Sequence, residues 1–180
     1  MAKLSELIEK IDSEAKEGNR KKALLMIDKL LEAVRWAPSW ANTQCWEVVA
    51  VRDAALKQGL QEAILPKNPA TKAITAAPVV LAVCGKCNVS GYYKDVVTTK
   101  FGDWQMFDLG IATQNICLAA HALGLATVIA GLFDHDKAKS VVKVPDGYEL
   151  VAIIPMGFPA KTGSAPKRRE IGQFTHYDTF

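Results

Sequence analysis

From Trp104 to Leu125 the sequence writes a helix with no polar face. Apolar residues recur at Met106, Leu109, Ile116, Ala120 and Leu123, with Thr113 filling the gap in the series. The opposite side carries Gly110, Ala112, Cys117 and Ala119, so it is small or apolar almost throughout. Gly124 offers a left-handed stop, and Leu125 the apolar contact that often follows one. A helix of this kind has to be covered on nearly every side. The 180 residues suffice for one well-cored domain, 1–180, and are too few for two. One such domain has limited room to enclose the helix, which makes a subunit interface its natural second home.

The other elements follow from periodicity. Leu24, Ile27, Leu31 and Val34 step along one helical face, widened by Leu30. Leu4, Leu7, Ile8 and Ile11 do the same nearer the N-terminus. Val79 to Cys84 is apolar without interruption and starts directly after Pro78, which predicts a strand covered on both faces, as in the middle of an α/β sheet. Val48, Val49 and Val51 mark another strand, and further strands are expected over 126–130 and 148–154. The predicted order is helix, helix, strand, helix, strand, loop, helix, strand, short helix, strand, tail. No internal repeat or low-complexity tract interrupts it.

Several function classes are disfavoured. A net charge of +3 is too weak to argue for nucleic acid. The longest apolar run, Ala76 to Cys84, falls far short of a membrane span. The charged N-terminus lacks the apolar centre of a secretion signal, so a cytoplasmic protein with reduced thiols is expected. Cys84 and Cys87 form a CxxC, but Cys45 and Cys117 have no spacing that completes a zinc site. His121, His135 and His176 read as structural, and no metal site is expected. The basic clusters Arg20-Lys21-Lys22 and Lys167-Arg168-Arg169 are either solvated surface or phosphate contacts.

The chemistry concentrates between Arg35 and Val51, RWAPSWANTQCWEVVAV. Pro38 stops a helix and pushes Ala37 out of helical geometry. Ser39, Asn42 and Gln44 then sit between Trp36, Trp40 and Trp46, which would anchor the loop. Such a loop suits a flat ligand needing several hydrogen bonds along one edge. The same residues also suit a capping and turn segment that satisfies only its own backbone.

The pattern P-S-x-x-N-x-Q, followed by a strand beginning with Trp46, resembles the early motif of the nitroreductase family of FMN-dependent oxidoreductases. DLGIATQNICLAAHALGLAT, Asp108 to Thr127, is similar to that family's central helix with its D-x-G-x-A-x-Q-N signature. The tail PKRREIGQFTHYDTF is similar to its C-terminal K-x-R pattern. The resemblance spans roughly Leu24 to the C-terminus. It implies an α+β fold, an α/β/α sandwich with a mixed central sheet flanked by helices, in an intertwined homodimer with FMN at the interface.

It also implies site residues. Pro38, Ser39, Asn42 and Gln44 would lie against or beside the flavin, with Gln114 from the central helix. The backbone of Ala130 and Gly131 would face N5 and O4 of the ring, where donors stabilise the reduced form. Asn68 and Lys72 fall near the pyrimidine edge, one residue out of the family's spacing. Lys167 and Arg169 would grip the phosphate. At the N-terminus the family's arginine-rich stretch is replaced, and only Lys10 and Ser13 resemble its chemistry. Three repairs are open: Lys10 or Lys16 serving instead, Arg20 to Lys22 reaching the phosphate, or Lys167 and Arg169 acting alone. The chain between Cys87 and Trp104 reads as a short polar loop where larger members carry a lid, with Tyr92, Tyr93, Trp104 and Phe107 as nearby aromatics.

The implied activity is hydride transfer from NADH or NADPH through the flavin to a small electron-poor acceptor, a nitroaromatic or quinone, in ping-pong order with no protein nucleophile. Two rival readings are a flavin carrier or redox sensor with little turnover, and a CxxC metal-binding protein without flavin.

Overall fold

The computed structural model describes residues 16–161 and 163–180. The stripe from Leu4 to Ile11 and the candidates Lys10 and Ser13 lie outside the described residues. Helix α1 (described over 16–24) and α2 (Ile27–Arg35) lead into β1 (Trp46–Val51). Then follow α3 (Ala54–Ala63), α4 (Thr71–Ala76), β2 (Val79–Lys86), a hairpin of β3 (Tyr92–Tyr93) and β4 (Val96–Val97), and α5 (Gln105–Ala122). The chain closes with β5 (Ala126–Thr127), α6 (His135–Val142) and β6 (Tyr148–Gly157).

The main sheet has the order β1-β2-β6-β5. Its three pairings are all antiparallel, which refines the expected mixed sheet. β2 is central, and successive side chains point to opposite faces. Val79, Leu81 and Val83 enter one core with α2 and α5, whereas Val80, Ala82 and Cys84 enter a second core with α3, α4 and α6. The uninterrupted apolar run of β2 follows from this: each of its faces has helices above it. The result is the expected three-layer α/β/α sandwich.

Helix α5 buries Leu109, Ala112, Thr113, Ile116 and Ala120. Its stop is a Schellman motif: the Leu125 N–H donates to Ala120 C=O at 2.8 Å and the Gly124 N–H to His121 C=O at 2.9 Å. Gly124 has φ +75°, which is why the sequence places glycine there. Met106, assigned to the buried stripe, instead lies 61% exposed beside Phe107. A helix apolar all round cannot bury every side within one sandwich.

Three further expectations change. The loop 87–104 contains the β3–β4 hairpin, turning through Lys94 and Asp95 at φ 48° and 63°. Neither residue belongs to the Asn-Gly or Asp-Gly pairs that announce such a turn. Helix α4 intervenes between α3 and β2. The strand expected over 126–130 pairs only at Ala126–Thr127, then touches β6 again through a single bridge, Ala130 to Ile153.

Candidate functional site

The loop after α2 gathers three left-handed residues in four positions. Ala41, Asn42 and Gln44 have φ of 44°, 56° and 48°, a region costly for residues with a Cβ. Asp108, 1% exposed on α5, holds the loop there. Its carboxylate accepts the Trp40 N–H at 3.1 and 3.2 Å, the Ser90 hydroxyl at 2.5 Å and the Cys45 thiol at 3.7 Å. Burial first, and then the charge of Asp108, pushes the Cys45 thiol up to about 12, so it stays a protonated donor. Ser39 Oγ accepts the Gln44 N–H at 2.9 Å, and the Gln44 amide donates to Asn42 Oδ1 at 3.3 Å. Asn42 and Gln44 remain exposed and keep hydrogen-bonding capacity facing outward.

The tryptophans divide the anchoring unequally. Trp36 is 72% exposed and donates to Glu32 on its own helix surface, so it does not anchor the loop. Trp40 packs on Trp104 at 6.3 Å, and Trp104 on Phe107 at 5.1 Å. Gln114 lies exposed on α5 in an open depression with Met106, Phe107, Gly110 and Ile111.

A second group forms at the other edge of the sheet. The Asn68 side chain makes a turn just ahead of α4, accepting the Ala70 N–H at 2.9 Å, and donates to Leu132 C=O at 3.2 Å. This ties the start of α4 to the segment after β5. Ala130 exchanges two 3.0 Å hydrogen bonds with Ile153, so its N–H is not available to a ligand. Of the expected pair Ala130 and Gly131, the Gly131 amide is the one that the sheet leaves without a partner among the described residues. The Gly131 amide has no hydrogen bond among the described residues, and a Cβ there would meet nothing within 4 Å. Lys72 stands exposed on α4.

A groove runs between the end of α4 and strand β5. A cleft of about 470 Å³ lies between Ala73, Ala77 and Val128. Through Ala76, Pro78, Phe158 and Ala160 it opens into a larger one of about 730 Å³ whose far wall is α1, with Lys16 and Arg20. Lys167 and Arg169 lie on the exposed tail, where the Arg169 guanidinium donates to Gln173 C=O and stacks over Phe174. Among the described residues neither is hydrogen-bonded to the groove.

The sequence-selected residues therefore form two groups. The loop carrying Ser39, Asn42 and Gln44 enters β1 at one edge of the sheet, and Asn68 with Gly131 flanks β5 at the other. Three strand spacings, about 14 Å, separate those edges. The sequence did not nominate Asp108 or Ser90 individually. A carboxylate inside an otherwise apolar helix was the available signal for Asp108; Ser90 offered none.

The fold is a three-layer α+β sandwich, and the open Gly131 amide lies four residues beyond its edge strand β5. The model of the nitroreductase family matches residues 23–158, and the chain belongs to that family. It is thereby an NAD(P)H-dependent oxidoreductase of the flavin-using kind in general terms. A Methanothermobacter thermautotrophicus protein, provisionally named NADH dehydrogenase/NAD(P)H nitroreductase, is 30% identical over 140 residues, which cover 76% of this chain and 66% of that one. The crystal structure of a similarly named Bacteroides thetaiotaomicron protein superposes with a TM-score of 0.70 at 28% identity, covering 86% of this chain and 84% of that one. An FMN-dependent nitroreductase from Clostridium difficile R20291 shares the fold, with a TM-score of 0.70 at 21% identity over 86% and 87% of the two chains. Among the described residues no helix is long and apolar enough to cross a membrane.

Proposed function

We propose that this chain is an FMN-dependent oxidoreductase of the cytoplasm that works as a homodimer of single-domain subunits. The observation that carries the reading is the Gly131 amide: it is exposed and open, and the hydrogen bond from Asn68 to the next residue, Leu132, fixes its segment. FMN, when bound, supplies a ring that takes a hydride from NADH or NADPH and passes it to an electron-poor acceptor, a nitroaromatic or quinone, in ping-pong order. The chain's own residues bind and orient. Gly131 donates its N–H toward the reactive edge of the ring, where developing negative charge is stabilised. Asn68 and Lys72 address the pyrimidine side.

Pro38, Ser39, Asn42 and Gln44 stand at the opposite sheet edge, so the geometry favours their acting on a ring held by the partner subunit. Gln114 and the exposed face of α5 lie on the same side as that loop. Met106 is 61%, Phe107 58% and Leu118 59% exposed on this helix, which supports a subunit interface there. The donor set fits a flavin: amides for the ring, cations for a phosphate. Four free thiols accord with a reducing compartment.

The test is a visible spectrum after reconstitution with FMN, followed by steady-state oxidation of NADH and NADPH with menadione or nitrobenzene. Retained flavin with parallel-line kinetics supports the reading. Retained flavin with negligible turnover makes the protein a flavin carrier instead, and no retained flavin overturns both.

A further inference from the structure

We propose a second ligand site: a pocket at the start of β1 that takes a small zwitterion with an apolar body, the chemistry of an apolar α-amino acid. It lies beside Cys84, near the end of β2 remote from Pro78 and the groove. It therefore stands whether or not the flavin reading does.

Shape is the first support. The cavity, about 280 Å³, is walled by Val49, Val142, Val144, Pro145 and the half-buried Tyr148, with Cys84 at its floor. Two irregular pieces of backbone build it. β6 inserts Val151 as a bulge between the pairs Val83–Ala152 and Cys84–Leu150, the kind of re-aiming that recurs beside functional sites. Helix α6 ends in a Schellman motif: the Val144 N–H donates to Lys139 C=O at 3.0 Å and the Lys143 N–H to Ser140 C=O at 3.3 Å. The left-handed residue of that motif is Lys143, at φ 55°, where glycine carries no steric cost. Lysine there gives up stability and sets a cation on the rim of the cavity.

Charge is the second support. The rim carries one charge of each sign, Glu47 from β1 and Lys143 from the end of α6. Neither has an ion pair among the described residues, whereas the neighbouring Lys139 and Glu149 neutralise each other at 2.9 Å. Glu47 is paired in register with Cys84, so the two side chains share a face of the sheet. Burial and then the charge of Glu47 raise the Cys84 thiol, which places that carboxylate over the cavity floor. An α-ammonium pairs with Glu47, an α-carboxylate with Lys143, and an apolar side chain fills the space between the valines and Tyr148. An amine without a carboxylate meets the repulsion of Lys143, and an acid without an ammonium that of Glu47. Glu47 follows Gln44 by three residues, so an occupant also grips the strand that carries the loop 38–44.

L-Leucine and L-phenylalanine are titrated into the isotopically labelled full chain and followed by NMR, with isoamylamine and isocaproate as probes that each lack one charge. The expected result is saturable shifts of the Val142, Val144 and Tyr148 amide resonances with either amino acid, and about fivefold weaker binding of both single-charge probes. Glu47→Gln and Lys143→Gly should each weaken the amino acids about fivefold. Lys143→Gly should at the same time raise the melting temperature by about 3 °C, because glycine relieves the left-handed cost, so its lost binding is not lost folding. No saturable shift at these amides with either amino acid overturns the proposal, whether the cavity stays empty or a second copy covers it. Single-charge probes that bind as tightly as the amino acids, or variants that bind as tightly as wild type, overturn it too. None of these outcomes bears on flavin retention.

Discussion

Asp108 and Trp40, 68 residues apart, are joined by a carboxylate accepting one backbone N–H at 3.1 and 3.2 Å. That contact fixes where the 3-10 turn Trp40–Asn42 begins, and with it the direction of Asn42 and Gln44. Asp108→Ala leaves the Trp40 N–H and the Ser90 hydroxyl without their partner. Unmade buried hydrogen bonds cost about 1–3 kcal/mol, so a fall in melting temperature of about 5 °C is expected. FMN affinity falls with it if the loop touches flavin. Asp108→Asn keeps the volume and one acceptor and should recover part of the stability; full recovery in that variant would mean that volume, not hydrogen bonding, is what matters.

The buried thiols give the fold an alkaline limit. Cys45 is pushed from 9.0 up to about 12, and Cys84 to about 11, burial being the largest cause in each. A raised folded-state pKa means that the unfolded chain loses these protons first, so stability is intact below pH 9 and falls as pH rises through the folded values. Unfolding midpoints in denaturant should therefore drop between about pH 9 and 12. Cys45→Ala should flatten the upper part of that drop. A pH-independent midpoint across this window would contradict the assignment.

Gly131→Ala separates folding from binding. The added Cβ meets nothing within 4 Å, so the melting temperature of the flavin-free protein should move by less than about 2 °C. If the Gly131 N–H meets the flavin, the same methyl would crowd the ring, and FMN affinity should fall by about 1 kcal/mol or more. Unchanged FMN affinity in the titration would remove Gly131 from the site.

Legibility followed periodicity and failed where partners are distant. The two cores could be read from Val79 to Cys84, because a strand apolar at every position needs helices on both faces. The stop at Gly124 was readable because αL geometry selects glycine. The β3–β4 hairpin was not, since Lys94 and Asp95 take positive φ without the usual turn residues. Of the loop 38–44, sequence gave the residues and their polarity. The anchor was hidden, because Asp108 lies in another element and its role exists only after packing. Ala130 was chosen from a resemblance, and a backbone bridge to Ile153 removes its N–H, something no side-chain pattern reveals.

The exposed face of α5 makes the last prediction. Gly110 stands beside Phe107, Ile111 and Gln114, and a Cβ built there meets nothing within 4 Å. In a lone subunit Gly110→Trp therefore has room and should fold. If α5 is the subunit interface, the indole occupies the volume of the partner helix. Light scattering should then report about 20 kDa for the variant, near the 19.6 kDa chain mass, and about twice that for wild type. FMN retention should fall with dimerisation, because Ser39, Asn42 and Gln44 would no longer meet a ring held beside Gly131 of a second copy. A wild type that is monomeric yet retains FMN would overturn the shared site, since one chain would then complete it across the sheet.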